Sequence, residues 1–283
     1  YNWHDHVSNG YVIGHKLLVV GIVDRKRRVL IPVAWEILHR DLSEETGING
    51  PMHEKGWEVA ARLLKELATF GFPKLTVTAD SWFAGEEFFD ALDDAQFAFV
   101  IEIKSNRNVA RWGRRTLGIR VDDFFSDKRR TMIQFRRKKK FAADAVLRFK
   151  DADRSLKVVA VANHKPLDDK AFAYYVSNKL TWSADKIWGL SRDRWGIEVQ
   201  FRELKQLFTL GEAAVRSKQA VETSISVAAI ALTVIRLEQL ADADTNENQH
   251  VRPIPAGTIV RDLQVESMLL SISKLASNSE PRH

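Results

Sequence analysis

The run Phe97–Ile103, FAFVIEI, most limits what this 283-residue chain can fold into. Its residues are almost all apolar, without the apolar–polar alternation of a strand that has one face in water. A continuous apolar strand is typical of a sheet that is covered on both faces, and helices cover such sheets in α/β proteins. We therefore predict an α/β fold with Phe97–Ile103 as a buried strand.

The residues before this strand alternate between helix and strand patterns. Apolar spacing predicts a helix over Gly56–Phe70, closed by Gly71. Its predicted inner face consists of Val59, Leu63, Leu64 and Leu67. The β-rich run Lys74–Ala79 then leads into Asp80, and Glu86–Leu92 begins another helix. This order predicts a sheet whose strands are joined by helices.

Further β-rich runs lie on either side of this region. Near the start, Tyr11–Val23 and Val29–Ile37 flank a charged turn and predict an antiparallel hairpin. Beyond residue 105, charged turns separate three predicted short strands: Met132–Arg136, Ala145–Phe149 and Leu156–Ala162. The strand Phe172–Ser177 follows. At the end of the chain, helical patterns at Ala220–Leu240 and Val260–Leu275 flank a polar connection.

The stretch Asp193–Arg216 predicts a helix with two different stripes, and Asp193 is placed to cap its start. Apolar residues three or four apart form an inward face: Ile197, Phe201, Leu204, Leu207 and Phe208. The second stripe is charged, because helical spacing brings four side chains to one side: Arg194, Glu198, Arg202 and Lys205. A carboxylate among three cations suits a metal ion together with a phosphate. Such pairs also stabilise ordinary solvated helix faces, so spacing alone leaves both interpretations open.

The run RWGIEVQFRELKQ resembles the C-terminal signature of the DDE insertion-sequence transposases, in the group named for a Tyr-Arg-Glu-Lys pattern. Arg194, Glu198 and Lys205 fit three of its four positions, whereas Ser191 stands where the group has Tyr. In that family the Glu is the last of three metal-binding carboxylates on an RNase H-like fold, and the Lys contacts the DNA end. The resemblance implies these roles for Glu198 and Lys205, and an orienting contact to DNA phosphate for Arg194.

Asp80 is the second candidate catalytic residue. Along KLTVTAD, Thr76, Thr78 and Asp80 point to one side of the strand, which places Asp80 at its carboxyl end. Open α/β sheets bind ligands at such ends, although an Asp there is equally suited to capping the following helix. The run TADSWFAG resembles the second-Asp motif of the same transposase group. Trp82 lies near Asp80, and Trp195 lies near Glu198. We expect both tryptophans to be core walls rather than base-stacking platforms.

Hairpin, helix, strand, helix and strand also follow each other in an RNase H-like core, without its first strand. Many α/β domains share this order. The transposase group carries a β insertion between the core sheet and the last catalytic helix. We predict an RNase H-like mixed sheet flanked by helices, with four parts: residues 1–105 as the first part of the core, 106–170 as a β-rich basic insertion, 171–217 as the last core strand and catalytic helix, and 218–283 as a helical C-terminal region.

A third carboxylate is harder to assign. In the family it ends the first core strand, ahead of the hairpin, and Asp5 is the one acidic residue there in this chain. Its surroundings do not match the Asp-Asp-Thr-like pattern of the family, so we expect the first Asp to lie upstream of Tyr1 and keep Asp5 as the alternative. Together with His4 and His6, Asp5 also fits a small transition-metal site.

The charge balance favours a polyanionic partner. The net charge is +6 and the isoelectric point about 9.4, which suggests nucleic acid ahead of an anionic membrane. A basic run in the insertion fits the tip of a hairpin that reaches along a DNA backbone, although it also fits a solvated turn: Arg136, Arg137, Lys138, Lys139 and Lys140. The sequence has no cysteine, which excludes disulfides and thiolate metal sites. We expect no membrane span, because the apolar run Ile225–Ile235 is shorter than a membrane-spanning helix, and we predict that it is a buried helix.

The resemblance implies a DNA transposase catalytic domain that cuts at element ends and joins 3′-hydroxyls to target DNA. It implies two Mg²⁺ or Mn²⁺ ions held by Asp80, Glu198 and a third carboxylate, a homodimer on paired double-stranded DNA ends, and a cytoplasmic, nucleoid-associated location of the bacterial type. Two alternatives stay open: an RNase H-like nuclease that cleaves without joining, and an inert transposase-derived DNA-binding protein.

Overall fold

The computed structural model describes residues 2–5, 10–13, 15–38, 54–71, 75–111, 118–126, 133–134, 140–149, 154–162, 172–208, 217–245 and 255–278. The chain divides into two compact units. The first comprises Tyr1–Leu18 and Leu38–Arg194, and the second comprises Val19–Ile37 and Trp195–His283. Each unit is therefore discontinuous in sequence.

Strands and helices follow in chain order within the described residues. The strands are β1 (Asn2–Asp5), β2 (Gly10–Ile13), β3 (Lys16–Asp24), β4 (Val29–Leu38), β5 (Thr76–Ala79), β6 (Ala98–Ile103), β7 (Asn108–Arg111), β8 (Ile119–Arg120), β9 (Ile133–Gln134), β10 (Phe141–Phe149), β11 (Ser155–Ala162) and β12 (Ala173–Ser177). The helices are α1 (Gly56–Thr69), α2 (Glu86–Asp94), α3 (Val121–Ser126), α4 (Ala184–Ser191), α5 (Trp195–Phe208), α6 (Lys218–Thr245) and α7 (Ala256–Asn278). Two 3₁₀ turns cover Ser81–Phe83 and Arg192–Arg194.

A mixed sheet organises the first unit. Among the described residues its strands follow the order β5-β6-β12-β11-β10-β7-β8, and β9 also pairs with β10. Strands β5 and β6 are parallel, whereas β6–β12, β12–β11, β11–β10, β10–β7 and β7–β8 are antiparallel. Strands from the stretch 106–170 therefore continue the same sheet as β5, β6 and β12. The α/β prediction of a mixed sheet flanked by helices is confirmed, and the architecture is consistent with an RNase H-like transposase fold.

Helices cover both faces of this sheet at β6. Phe99 stacks on Phe89 of α2, with ring centroids 5.1 Å apart. The next residue, Val100, packs in one cluster with Ile187 and Leu190 of α4. Because successive side chains of a strand point to opposite faces, α2 and α4 lie on opposite sides of the sheet. This double cover explains why the predicted strand is apolar at every position except Glu102.

Helix α1 agrees with its sequence pattern. Val59, Leu63, Leu64 and Leu67 are all buried, as predicted from their spacing. The helix ends at Thr69, two residues before Gly71, whose φ of +72° lies in the left-handed region that glycine adopts without strain.

The predicted strand Tyr11–Val23 is wrong as a single element. Its first part belongs to β2, which pairs with β1, and its second part belongs to β3, which pairs with β4. The run contains Gly14, and a glycine weakens a strand interior because it has no side chain to pack. The charged turn joins β3 to β4 as predicted, and the Asp24 carboxylate accepts a hydrogen bond from the backbone N–H of Arg27 at 2.9 Å.

In the second unit, α5 begins two residues later than the sequence suggested. Asp193 lies within the 3₁₀ turn Arg192–Arg194, so it does not stand directly before α5 as a cap. Within α5, Leu204 is buried and packs with Ala228 and Leu232 of α6. The predicted inward face is thus confirmed at its centre. Residues 209–216 of the predicted helix lie outside the described part of the chain.

Two expectations about Ile225–Ile235 concern α6: that the run is buried, which is only partly correct, and that it does not span a membrane, which stays a prediction. One side of the helix is buried, including Ile225, Leu232 and Ile235, whereas other large apolar side chains of the same run are exposed. The segment Gln219–Ala241 is also long and apolar enough, with a mean hydropathy of 1.7, to cross a membrane by length and composition. That criterion is weak, because core helices of soluble proteins also meet it.

Candidate active site

Asp80 lies directly after β5, as predicted. Its backbone is still extended, with φ −82° and ψ 179°, so the alternation of the strand continues to this residue. One carboxylate oxygen, Oδ1, accepts a hydrogen bond from the backbone N–H of Trp82 at 2.9 Å and caps the 3₁₀ turn Ser81–Phe83. The capping role is therefore real, and it engages one of the two oxygens.

The strand register places further polar side chains on the same face as Asp80. Thr78 pairs with Val100, and one alternation further along the parallel strands Asp80 aligns with Glu102. Glu102 in turn pairs directly with Tyr175 of β12. Paired residues of neighbouring strands point to the same side, here the side covered by α4. Two carboxylates and a phenol therefore line one end of the sheet.

Tyr175 links this face to the end of α4. It forms a hydrogen bond with Ser191, and the charges of Glu102 and Arg194 act on it. Burial raises the pKa of Tyr175; the Glu102 carboxylate also raises it, while the Ser191 bond and Arg194 act in the opposite direction. Tyr175 consequently keeps its proton at neutral pH. Tyr175 thus places a phenol beside Ser191.

Arg194 ends the 3₁₀ turn that follows α4, and this turn lies against β5, the strand that leads to Asp80. The structure thus brings Asp80, Glu102, Tyr175, Ser191 and Arg194 to one region of the first unit. Sequence reasoning missed Glu102 and Tyr175. Glu102 had a signal, because it is the one charge within FAFVIEI, whereas Tyr175 joins the site only through the pairing of β12 with β6.

The remaining predicted residues of the charged stripe belong to the second unit. Glu198 is half-buried in the first turn of α5. Arg202 and Lys205 are exposed, four and seven residues beyond Glu198, and helical spacing places all three on one side of α5. Within α5 the predicted stripe therefore combines a sheltered carboxylate with solvated cations.

The other predicted residues are only partly described. Arg136, Arg137, Lys138 and Lys139 lie outside the described residues. Lys140 directly precedes β10, and its ammonium lies 5.9 Å from the centre of the Trp188 ring. Asp5 ends β1 opposite Gly10, but its side chain is outside the described part, as are those of His4 and His6.

The described side chains include no group of three or more His, Asp or Glu residues arranged to hold a metal ion. Asp80 and Glu102 are nevertheless carboxylates at neighbouring strand ends, and Glu198 is a sheltered carboxylate at the start of a helix. Carboxylate oxygens are the hard ligands that Mg²⁺ and Mn²⁺ prefer. The donor chemistry of these residues therefore fits a divalent cation.

Residues 54–234, more than half of the chain, match the family described as the transposase DDE domain. The chain belongs to the DDE transposase family. The matched range contains Asp80 and Glu198 and begins after Asp5. The catalytic roles of all three residues stay predictions. The narrower assignment to the Tyr-Arg-Glu-Lys group stays a prediction.

The chain was also compared with curated proteins and with solved structures. None of the curated proteins matches the sequence. Among solved structures, the chain is similar to piggyBac transposase in a cryo-EM structure of its synaptic complex with hairpin DNA, at 11% identity and a TM-score of 0.48. The alignment covers 93% of this chain and 47% of that one, so the chain spans about half the length of that relative.

The two tryptophans beside the candidate carboxylates are not core walls, contrary to expectation. Trp82 is 48% exposed and Trp195 is 53% exposed. The ring of Trp82 lies so close to Gly56 that a Cβ there would be 2.0 Å from it, and the Lys16 ammonium lies 4.0 Å from the ring centre. Trp82 is therefore held at the surface by a glycine and a cation–π contact rather than by the core.

A polar cavity of about 490 Å³ lies beside the candidate carboxylates of the first unit. Ser81 and Glu102 line it together with Lys104 and Arg120. Arg120 is paired with Asp122. The cavity thus combines cationic and hydroxyl groups with the Glu102 carboxylate, and cationic and hydroxyl donors suit a phosphate.

Proposed function

We propose that this chain is the catalytic domain of a DNA transposase that cleaves phosphodiester bonds at element ends and joins the 3′-hydroxyls to target DNA. The observation that carries the proposal is the family match across both Asp80 and Glu198, together with the placement of Asp80, Tyr175 and Arg194 at one end of a sheet. Double-stranded DNA would be the substrate, and a homodimer would hold a pair of ends.

Asp80 and Glu198 would hold the divalent cation, Mg²⁺ or Mn²⁺. When bound, such an ion supplies positive charge that stabilises the attacking and leaving oxygens of an in-line displacement. This assignment requires one carboxylate from each unit to act on the same phosphate. It is supported by the family match, because the matched residues 54–234 include both carboxylates.

The neighbouring polar groups would orient the DNA. The planar guanidinium of Arg194 suits a phosphate through paired hydrogen bonds. Tyr175 and Ser191 add hydroxyl groups beside it. On α5 the exposed Arg202 and Lys205 would contact the backbone further along the strand, Lys205 at the DNA end.

The activity can be tested with the purified chain, Mg²⁺ or Mn²⁺, and labelled element-end DNA in the presence of a target plasmid. Joined products, in which the labelled 3′-ends become part of the plasmid, support transposition. Cleavage without joining would instead support an RNase H-like nuclease. Retained DNA binding without either product would support an inert DNA-binding protein, and both of these outcomes contradict the proposal.

We expect Tyr175→Phe to weaken binding of element-end DNA about fivefold, because it removes one hydroxyl and about 1 kcal/mol of hydrogen bonding while keeping the ring. Fluorescence anisotropy with labelled DNA measures the change. Equal affinities in the Tyr175→Phe variant and the wild type would exclude the hydroxyl from DNA binding.

We expect Lys139→Ala to weaken DNA binding to a similar extent for all sequences and to flatten its salt dependence. A contact to phosphate carries no base information, and losing one lowers the slope of log K against log salt by about one. Binding titrations at several salt concentrations measure this slope. Lys65→Ala, on the exposed side of α1, serves as control. A sequence-dependent loss would argue for base contacts instead.

A further inference from the structure

The polar cavity of the first unit lies where β6 ends. Its lining includes Glu102 near the end of that strand, the three residues Lys104–Asn106 directly after it, and Arg120. We call it the β6-end cavity. Ser81 also lines it and follows Asp80 directly, so the cavity begins one residue away from the candidate catalytic carboxylate.

Hydrogen bonds fix the backbone of the turn after β6. The N–H of Arg107 donates to the carbonyl oxygen of Lys104 at 3.2 Å, which closes a four-residue turn. The N–H of Asp122, in the first turn of α3, donates to the carbonyl oxygen of Ser105 at 3.1 Å. The Arg107 guanidinium donates to the carbonyl oxygen of Ala84 at 2.6 Å. The turn is therefore tied to α3 on one side and to the segment that follows β5 on the other.

The side chains of this turn, in contrast, have unused hydrogen-bonding capacity. Lys104, Ser105 and Asn106 are exposed, and all three line the cavity. None of these side chains forms a hydrogen bond or an ion pair within the part of the chain that the structure describes. An ammonium, a hydroxyl and a carboxamide together offer several donors. A turn with a fixed backbone and free donor side chains is preorganised for a ligand that is rich in acceptor oxygens.

The charges around the cavity favour a ligand with a single negative charge. Arg120 is paired with the Asp122 carboxylate, so its charge is already compensated. Lys104 supplies a cation, and Glu102 adds a negative charge to the same lining. A phosphate group with several charges is repelled by that carboxylate. A phosphodiester carries one negative charge, and Lys, Ser and Asn side chains are among those that bind DNA phosphates.

The size of the cavity also limits the ligand. Its volume of about 490 Å³ falls within the range of about 300–1,000 Å³ for pockets that hold one small ligand. Phe172 and Tyr174 add aromatic surface to the lining, which suits the carbon atoms of a deoxyribose. The cavity therefore fits one sugar-phosphate unit of a DNA strand rather than a length of duplex.

We propose that the β6-end cavity is a phosphodiester-binding subsite, in which Lys104, Ser105 and Asn106 hold a DNA phosphate that does not itself react. The inference rests on the proposed function, because DNA is the ligand. It adds a contact in the first unit to those assigned to Arg194 and to α5. A phosphate held here fixes the strand beside Asp80, so that one defined phosphodiester is presented for cleavage. The same chemistry serves a phosphate of the element end or of the target.

Neutral phosphates can locate this contact. An uncharged methylphosphonate replaces one phosphate at a time in labelled element-end and target duplexes, and anisotropy measures their affinity for the full chain. One position should cost the wild type about tenfold in affinity, and Lys104→Ala should cost about the same with unmodified DNA. In combination the two losses should not add, because both remove the same contact. The duplex that contains this position identifies the source of the phosphate.

Lys179→Ala is the matched control, because Lys179 is an exposed lysine at the opposite end of the same sheet. Its neighbour Asn178 accepts a hydrogen bond from the backbone N–H of Phe99, near the start of β6. This variant should bind DNA as the wild type does and should keep the full effect of the methylphosphonate. Asn106→Ala should lower the affinity about threefold and reduce the effect of the same methylphosphonate, although it removes no charge. Circular dichroism confirms that the variants are folded.

Two outcomes would overturn the subsite. The first is that the loss from Lys104→Ala adds to that of every methylphosphonate in both duplexes. The second is an equal loss of affinity in Lys104→Ala and Lys179→Ala, which would assign the effect to general positive charge. Failure of the proposed function gives a different result. A chain that shows the non-additive pair but neither cleaves nor joins DNA keeps the subsite and loses the transposase activity.

Discussion

We expect Asp80→Asn and Glu198→Gln each to lower the rate of DNA cleavage by about 10⁴-fold, because loss of a catalytic group typically has an effect of this size. DNA affinity should stay the same or rise slightly. Each substitution removes a negative charge and a hard oxygen ligand but keeps the size of the side chain. Asn keeps an Oδ1 acceptor for the Trp82 N–H, so the 3₁₀ turn after β5 should stay capped. The affinity for DNA does not fall, because each variant has lost one negative charge that would repel the DNA phosphates.

Cleavage is measured on labelled element-end DNA over a titration of Mg²⁺, and binding on the same DNA by anisotropy. Asp123→Asn and Glu66→Gln are matched controls, since they make the same chemical changes on exposed parts of α3 and α1 and should cleave normally. Full activity in the Glu198→Gln variant would remove Glu198 from the site. Normal activity in Asp80→Asn alone would show that the capping role is its whole role.

The second large effect concerns stability. Arg236 on α6 is buried, and it forms an ion pair with Glu203 of α5 and a hydrogen bond with Gln239. We expect Arg236→Leu to lower the free energy of unfolding by about 3–5 kcal/mol, because a partly buried carboxylate is left without its cation. Urea denaturation followed by circular dichroism measures the loss.

The pH dependence provides a further check on this pair. Burial raises the pKa of Glu203, and Arg236 opposes the rise. Without Arg236 the pKa should rise further. A carboxyl with a raised pKa in the folded state favours folding below its ordinary pKa, and this contribution is lost as the pH rises through the raised pKa. The defect of Arg236→Leu should therefore be smaller in mild acid than at neutral pH.

Two variants separate this explanation from a general effect of removing arginine. Arg62→Leu removes an exposed pair with Glu54, whose side chains are 40% and 38% exposed, and should cost at most about 1 kcal/mol. The double variant Arg236→Leu with Glu203→Leu should recover part of the loss, because no unpaired charge remains. A double variant as unstable as Arg236→Leu would show that packing, not charge, sets the effect.

Several features of the fold follow from local patterns in the sequence. The apolar run at Phe97–Ile103 predicted a strand covered on both faces, and Phe99 and Val100 indeed pack on opposite helices. Helical spacing gave the buried face of α1, and strand alternation placed Asp80 at the end of β5. These patterns succeed because burial follows the period of the backbone within one element.

Tertiary structure alone decided which residues from different elements share a face. Glu102 and Tyr175 join the candidate site because the register of β5, β6 and β12 aligns them, and register is set by pairing between strands far apart in sequence. In the same way, Val227 and Leu232 are both apolar residues of α6. Leu232 is buried against Leu204 of α5, whereas Val227 on the other side of the helix is exposed. The type of a side chain sets its preference for burial, but the neighbouring elements determine whether that side chain is buried.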